Sequence, residues 1–233
     1  SVFIGPGAGA SDDLNNRDNT FVGNLAGRDN VSGEQNAAFG SGALLQNTTG
    51  SHNIANGYVS LFYNTTGSNN IGIGESALFL NGTGNGNVAM GTAALHNNQS
   101  QNGLVAIGDS ALYANSSGYS NTAVGAYSLS NNTGGGENTA IGFWALRKNT
   151  TGTWNTALGA YALRKNTSGY NNIAVGTGAL RNSTIGSNNI SIGSNAMGQN
   201  TTGSENIAIG LGALEYSNDC LLYTSPSPRD EQS

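Results

Sequence analysis

The chain has 233 residues with 36 Gly, only 9% charged and 36% hydrophobic residues, and a formal net charge of -5 at pH 7. Mild acidity argues against nucleic acid as a partner, no apolar run approaches the length of a membrane span, and a single cysteine, Cys220, leaves no disulfide and no thiolate metal site. A chain this poor in charge and in large apolar side chains is either disordered or repetitive.

Repetition decides between the two. The first unit, SVFIG at residues 1–5, is followed by twelve more that begin at residue 19, then 36, 53 and every seventeenth residue as far as 206, with one extra residue after the first and no slip afterwards. The shared pattern is N-[TIV]-A-[IV]-G-x-x-A-L-x-x-N-T-T-G-x-x. A disordered chain does not keep register in this way. Two or three large apolar side chains per unit cannot offset the ordering of its backbone, so each unit depends on its neighbours, which is the logic of a solenoid. The expected fold is all-β: a parallel β-roll or β-solenoid of about thirteen coils, one per 17-residue unit.

Along each unit the columns read as follows. Positions two to four alternate over a short distance and predict a short strand. Ile141, Val175, Ile192 and Ile209 share a face with Thr139, Ile173, Ile190 and Ile207, and the small third position (Ala123, Ala140, Ala157) faces the other way, where it admits a closely packed neighbour and becomes a candidate chain–chain interface. Gly at position five in all twelve registered units marks a corner. The Ala-Leu pair at positions eight and nine, as in Ala145-Leu146, predicts a second short strand. Asn-Thr-Thr-Gly predicts a turn in which Gly takes a positive φ. Stacked coils bring Asn121, Asn138, Asn155 and Asn172, and again Asn132, Asn149 and Asn166, into amide ladders. Asn56 stands where the other units place an apolar residue at position four, and burial there would require a polar partner or water.

The C-terminal residues 220–233 break the composition and the period; CLLYTSPSPRD resembles the in-frame translation of a transposase sequencing adapter. They are expected to lie outside the fold. Residues 1–219 then form one solenoid domain, expected to be a piece of a longer fibre.

Units such as residues 138–142 (NTAIG) and 206–210 (NIAIG) resemble the head repeats of YadA-like trimeric autotransporter adhesins, and similar 17-residue repeats occur in phage tail-fibre proteins. The resemblance covers residues 1–219, with a longer repeat and the added Asn-Thr-Thr-Gly turn. It implies a left-handed roll, three chains packed side by side as a homotrimer, and a structural and adhesive role in attachment to a host surface. The implied location is extracellular, on a bacterial cell surface or a virion tail fibre. The alternatives are a tail-fibre spacer without a binding site of its own and a monomeric solenoid that binds ice or carbohydrate through its Thr columns.

Two features mark a candidate ligand surface. Arg147, Lys148, Arg164, Lys165 and Arg181 fall in two adjacent columns over three successive coils, which stacks like charges and points to an anionic glycan, a host surface protein or an acidic neighbouring chain. Tyr127, Trp144 and Tyr161 share another column, with Phe143 beside them, and offer rings for sugar stacking or for packing. The two histidines, His52 and His96, fall in different columns, make no metal pair and are expected to be solvent-exposed. No catalytic carboxylate pair and no phosphate loop followed by a helix occurs, so no enzyme activity and no cofactor is expected.

Overall fold

A computed structural model describes residues 1–13, 15 and 17–216 together with the backbone of 222–224. Strand β1 (Val2–Ile4) is followed by β2 (Thr20–Val22), and from there one three-residue strand recurs every seventeen residues to β13 (Ile207–Ile209). All neighbours pair in parallel, in sequence order and in exact coil register, as in Thr122↔Thr139, Ala123↔Ala140 and Val124↔Ile141. The fold is therefore an all-β solenoid. At about 4.8 Å between strands, its thirteen registered strands form a rod roughly 55–60 Å long. The extra residue of the first unit lies in the loop before β2, where the Arg17 guanidinium bonds both oxygens of Asp13 and holds its carboxyl well below the usual carboxylate range.

The expectation for residues 220–233 concerns residues outside the described part of the chain, except that the backbone of Leu222–Thr224 (β14) pairs with β13. An open parallel edge is a template for any extended segment, whatever its sequence.

The second strand expected at positions eight and nine is absent among the described residues, and consecutive turns take its place. In the coil of β9 (Thr139–Ile141), Ala145 N–H donates to Gly142 O at 3.2 Å, Arg147 N–H to Trp144 O at 3.3 Å and Asn149 N–H to Leu146 O at 3.0 Å. Each bond closes a four-residue turn. Residues seven and nine adopt left-handed backbone, φ 60° at Trp144 and 49° at Leu146. That conformation costs a non-glycine residue about 1–2 kcal/mol, but it aims Leu146 inward, where full burial contributes about 1.5–3 kcal/mol.

The core is thin and built from three columns. Ala at positions three and eight and Leu at position nine are fully buried, from Ala38, Ala43 and Leu44 through Ala174, Ala179 and Leu180. The third-position Ala therefore fills its own coil and does not face a neighbouring chain. The strand's other face is outward: Ile107, Ile141, Ile192 and Ile209 remain 37–43% exposed. Asn56 lies on that outward face and needs no buried partner.

Where the Leu column fails, the Ala column compensates. Gly27 replaces Leu at position nine, and Phe21 replaces Ala at position three of the same coil; a Cβ on Gly27 would lie 2.5 Å from the Phe21 ring. Phe3 sits over Gly9 in the same way, and the two rings stack at 5.4 Å. Interior volume is conserved, as close packing requires.

Two glycine columns are needed for different reasons. Gly142 has φ 138°, and a Cβ there would also lie 2.5 Å from Gly159 O in the next coil. Gly152, in the Asn-Thr-Thr-Gly turn, does not have the positive φ expected of it. A Cβ on it would lie 2.4 Å from both Asn149 Oδ1 and Gly169 O, so close approach by the amide ladder favours glycine here. Gln101, which stands in this column and accepts from Asn87 and Asn98 through its main-chain carbonyl, is the exception.

Candidate functional site

The amide ladders form the inner wall beside the site. Asn149 Nδ2 donates to Asn132 Oδ1 at 2.8 Å and to Gly152 O at 2.9 Å, and its own Oδ1 accepts from Asn166 Nδ2 at 2.8 Å. Asn155 repeats this in the second column, where Asn138 Oδ1 accepts from both its backbone N–H at 3.0 Å and its Nδ2 at 3.1 Å. Both columns are fully buried, so the ladders are rigid and present nothing to solvent. The first ladder is interrupted at Asn98, whose Oδ1 has no partner, and again at Ser183, which is too short to reach Asn166 and leaves Asn166 Oδ1 and its own Oγ without a partner.

The Thr columns behave unequally. Thr48, Thr65, Thr150 and Thr167 each give their hydroxyl to the main-chain carbonyl of the residue seventeen further on, at 2.8–3.0 Å. In the pairs Thr48-Thr49, Thr65-Thr66 and Thr150-Thr151 the first Thr is half-buried and the second exposed, whereas Thr201 and Thr202 are both exposed. A regular array of paired free hydroxyls is therefore not present on this face.

The predicted aromatic and basic features, separate in sequence, are one surface. Positions seven and ten are the two ends of a turn, so Trp144 and Arg147 leave the backbone side by side. The Arg147 guanidinium lies 4.3 Å from the Trp144 ring centre, and Arg164 lies 4.9 Å from Trp144 and 6.0 Å from Tyr161. Phe143 stacks on Trp144 at 4.9 Å, and Tyr161 meets Trp144 edge-on at 5.7 Å. Cation–π contact offsets part of the cost of stacking two cations. Lys148 and Lys165 flank this cluster, and Arg181 continues the column one coil on. Tyr127 stands apart from the rings, one coil earlier, and is 37% exposed.

Charge is distributed unevenly. Arg17 and Arg28 are paired with Asp13 and Asp29. Among the described residues the five cations of the patch make no ion pair, and residues 138–204 contain no Asp or Glu. Arg147 Nε, Arg164 Nε and Trp144 Nε1 are buried without a hydrogen-bond partner. The chain is acidic overall, yet this band is purely cationic.

Comparison with protein-family models, curated proteins and solved structures returns no match.

Sequence reading missed what the tenth column does in earlier coils. Phe62, Phe79, His96 and Tyr113 stack there at 5.5, 4.9 and 5.0 Å. His96 is accordingly half-buried between two rings, not solvent-exposed as expected; His52 is exposed. The signal lay in the period itself, since these four occupy the column of Arg147, Arg164 and Arg181. Beside this stack lies a shallow concavity of about 470 Å³ lined by Tyr63, Leu80, Gly82 and Gln99, with no charged group. No group of three or more metal-ligating side chains occurs among the described residues.

Proposed function

We propose that the chain is a structural and adhesive segment of an extracellular fibre, on a bacterial surface or a virion tail, that works as a homotrimer without catalytic activity and attaches to a host surface protein or an anionic glycan. The observation that carries the reading is the outward strand face. It is a strip mainly of Ile, Val, Phe, Leu and Met with Thr among them, about 10 Å wide along the rod and interrupted by Asn56, with Phe39 42%, Met90 39% and Ile141 43% exposed. A flat apolar strip of this length lies at the upper end of what monomers leave in water, about 300–600 Å², and patches of that size are often functional. Its straight register is self-complementary with that of identical chains, which makes further copies of this chain the matching occupant.

Support for attachment comes from the opposite character of the turn side. The strip is apolar and uncharged, whereas the patch of Arg147, Arg164, Trp144 and Tyr161 is cationic and aromatic, so association and binding have separate surfaces. Sedimentation equilibrium tests the assembly: a mass three times 23.6 kDa is expected. A folded monomer at micromolar concentration would overturn the trimer and favour a self-contained solenoid. Replacing Ile107 and Ile141 with Lys is expected to dissociate the trimer while the coils stay folded, because these side chains fill no core.

A further inference from the structure

Position ten carries a large side chain in every coil from Leu45 to Arg181 except one, and that exception is Ser130. It stands between Tyr113 in the coil before and Arg147 in the coil after. The missing bulk leaves a cleft of about 270 Å³ lined by Ser110, Tyr113, Tyr127, Ser130, Asn131 and Arg147. It lies at the junction of the aromatic and cationic stretches.

Three independent features converge on it. At one end the Arg147 guanidinium is held over the Trp144 ring, with its Nε buried there without a hydrogen-bond partner and no ion pair to the group among the described residues. The carboxylate of Asp109, next to the lining residue Ser110, accepts from the Ser110 hydroxyl at 2.8 Å. On the walls the phenol rings of Tyr113 and Tyr127 are 38% and 37% exposed. At the floor the Ser130 hydroxyl lies 3.2 Å from Asn131 Oδ1, which supplies a small polar pair. A guanidinium without a counter-ion favours an anion, which it can bind through two parallel hydrogen bonds. Exposed rings favour the apolar face of a sugar. The purely cationic band of residues 138–204 attracts a polyanion from a distance.

We propose that this cleft binds one acidic sugar residue, with its carboxylate or sulfate on Arg147 and its ring against Tyr127 and Tyr113. A simple inorganic anion would make no use of the phenols, and a neutral sugar would make no use of the arginine. The volume fits one sugar ring and is below the roughly 300–1,000 Å³ of pockets that enclose larger ligands. The inference rests on the attachment reading and names what is attached.

The test titrates the full chain with 3′-sialyllactose, a sulfated disaccharide and lactose, by saturation-transfer NMR and calorimetry. At least one acidic probe is expected to bind, and lactose about tenfold or more weaker, in line with the loss of a charge-assisted contact. The two acidic arms separate carboxylate from sulfate. Arg147→Gln and Ser130→Leu are each expected to weaken binding about tenfold or more, and Arg181→Gln, outside the cleft, less than about threefold. Ser130→Leu fills the cleft without altering charge, and the column already accepts Leu45 and Phe62, so the coil should keep its fold. Binding that survives Ser130→Leu, or equal losses at Arg147 and Arg181, would assign the affinity to a diffuse cationic field and overturn the cleft. Failure of both acidic probes overturns it too. A trimer that binds neither probe sinks the cleft alone, whereas a monomer that binds sinks only the assembly.

Discussion

In the coils of Phe62 to Tyr113 the tenth column is a stack of rings; in those of Arg147 to Arg181 it is a row of guanidinium groups. The backbone beneath is the same. Leu80 N–H donates to His96 O at 3.0 Å in the first stretch, and Lys148 N–H donates to Arg164 O at 3.0 Å in the second. Leu78 and Leu146 are equally buried. Side chains that point outward at a turn thus carry surface chemistry that the coil does not use for its stability. The inward columns, by contrast, have no such freedom. Repetition separates the two roles cleanly, because each coil is a trial of the same scaffold with a different surface.

If both stretches share one scaffold, the same inward change should cost the same in each. Gly91→Ala and Gly159→Ala meet matching geometry, with φ 131° and 135° and a Cβ that would lie 2.6 Å from the next coil's backbone. Each is expected to cost about 2–6 kcal/mol from strain and overpacking, read as a fall in the thermal midpoint. A difference of more than about 1 kcal/mol between the two would break the equivalence, since that exceeds the scatter expected for independent sites.

Interior volume offers the next test. Phe21→Ala alone should cost about 3–5 kcal/mol and Gly27→Leu alone about 1–3 kcal/mol. The double variant recreates the Ala/Leu pair of the later coils, and a coupling energy of about 2 kcal/mol or more in its favour is expected from a denaturation cycle. Additive losses would show that the first coils are not interchangeable with the rest.

Smaller effects concern the ladder and the column itself. Ser183→Asn restores the rung missing at that coil, giving Asn166 Oδ1 a donor, and should stabilise by about 1 kcal/mol; a lower thermal midpoint would count against the rung as the cause. Arg164→Phe turns one cationic position into an aromatic one. It is expected to shift stability by no more than about 0.5 kcal/mol, and a large loss would mean that the cationic stretch contributes to the fold after all.

The period, the strand positions, the Asn ladders and the corner glycine could all be read from residues such as Asn138, Ala140, Ile141 and Gly142, because strict recurrence converts one coil's pattern into columns. The Ala-Leu segment could not. Two apolar residues in succession carry no periodicity, and nothing local announces that Leu146 takes a left-handed backbone to point inward. Arg147 and Lys148 were visible as charges and Trp144 as a ring, but their union was not, since it depends on a turn that places positions seven and ten side by side. Ser130 was the least legible of all. A serine is unremarked in a sequence this rich in small polar residues, and only the large neighbours in its column make it a gap.

By itself, then, the sequence determined that this protein is a stack of parallel coils, since a seventeen-residue recurrence of Asn, Ala and Gly can satisfy its buried amides only by placing like on like. The tertiary structure decided which way each column faces, because the sign of φ at positions seven and nine is set by what the side chain can bury once its neighbours are in place, and that choice turns Leu inward and leaves Arg147, Tyr127 and Tyr113 around an opening.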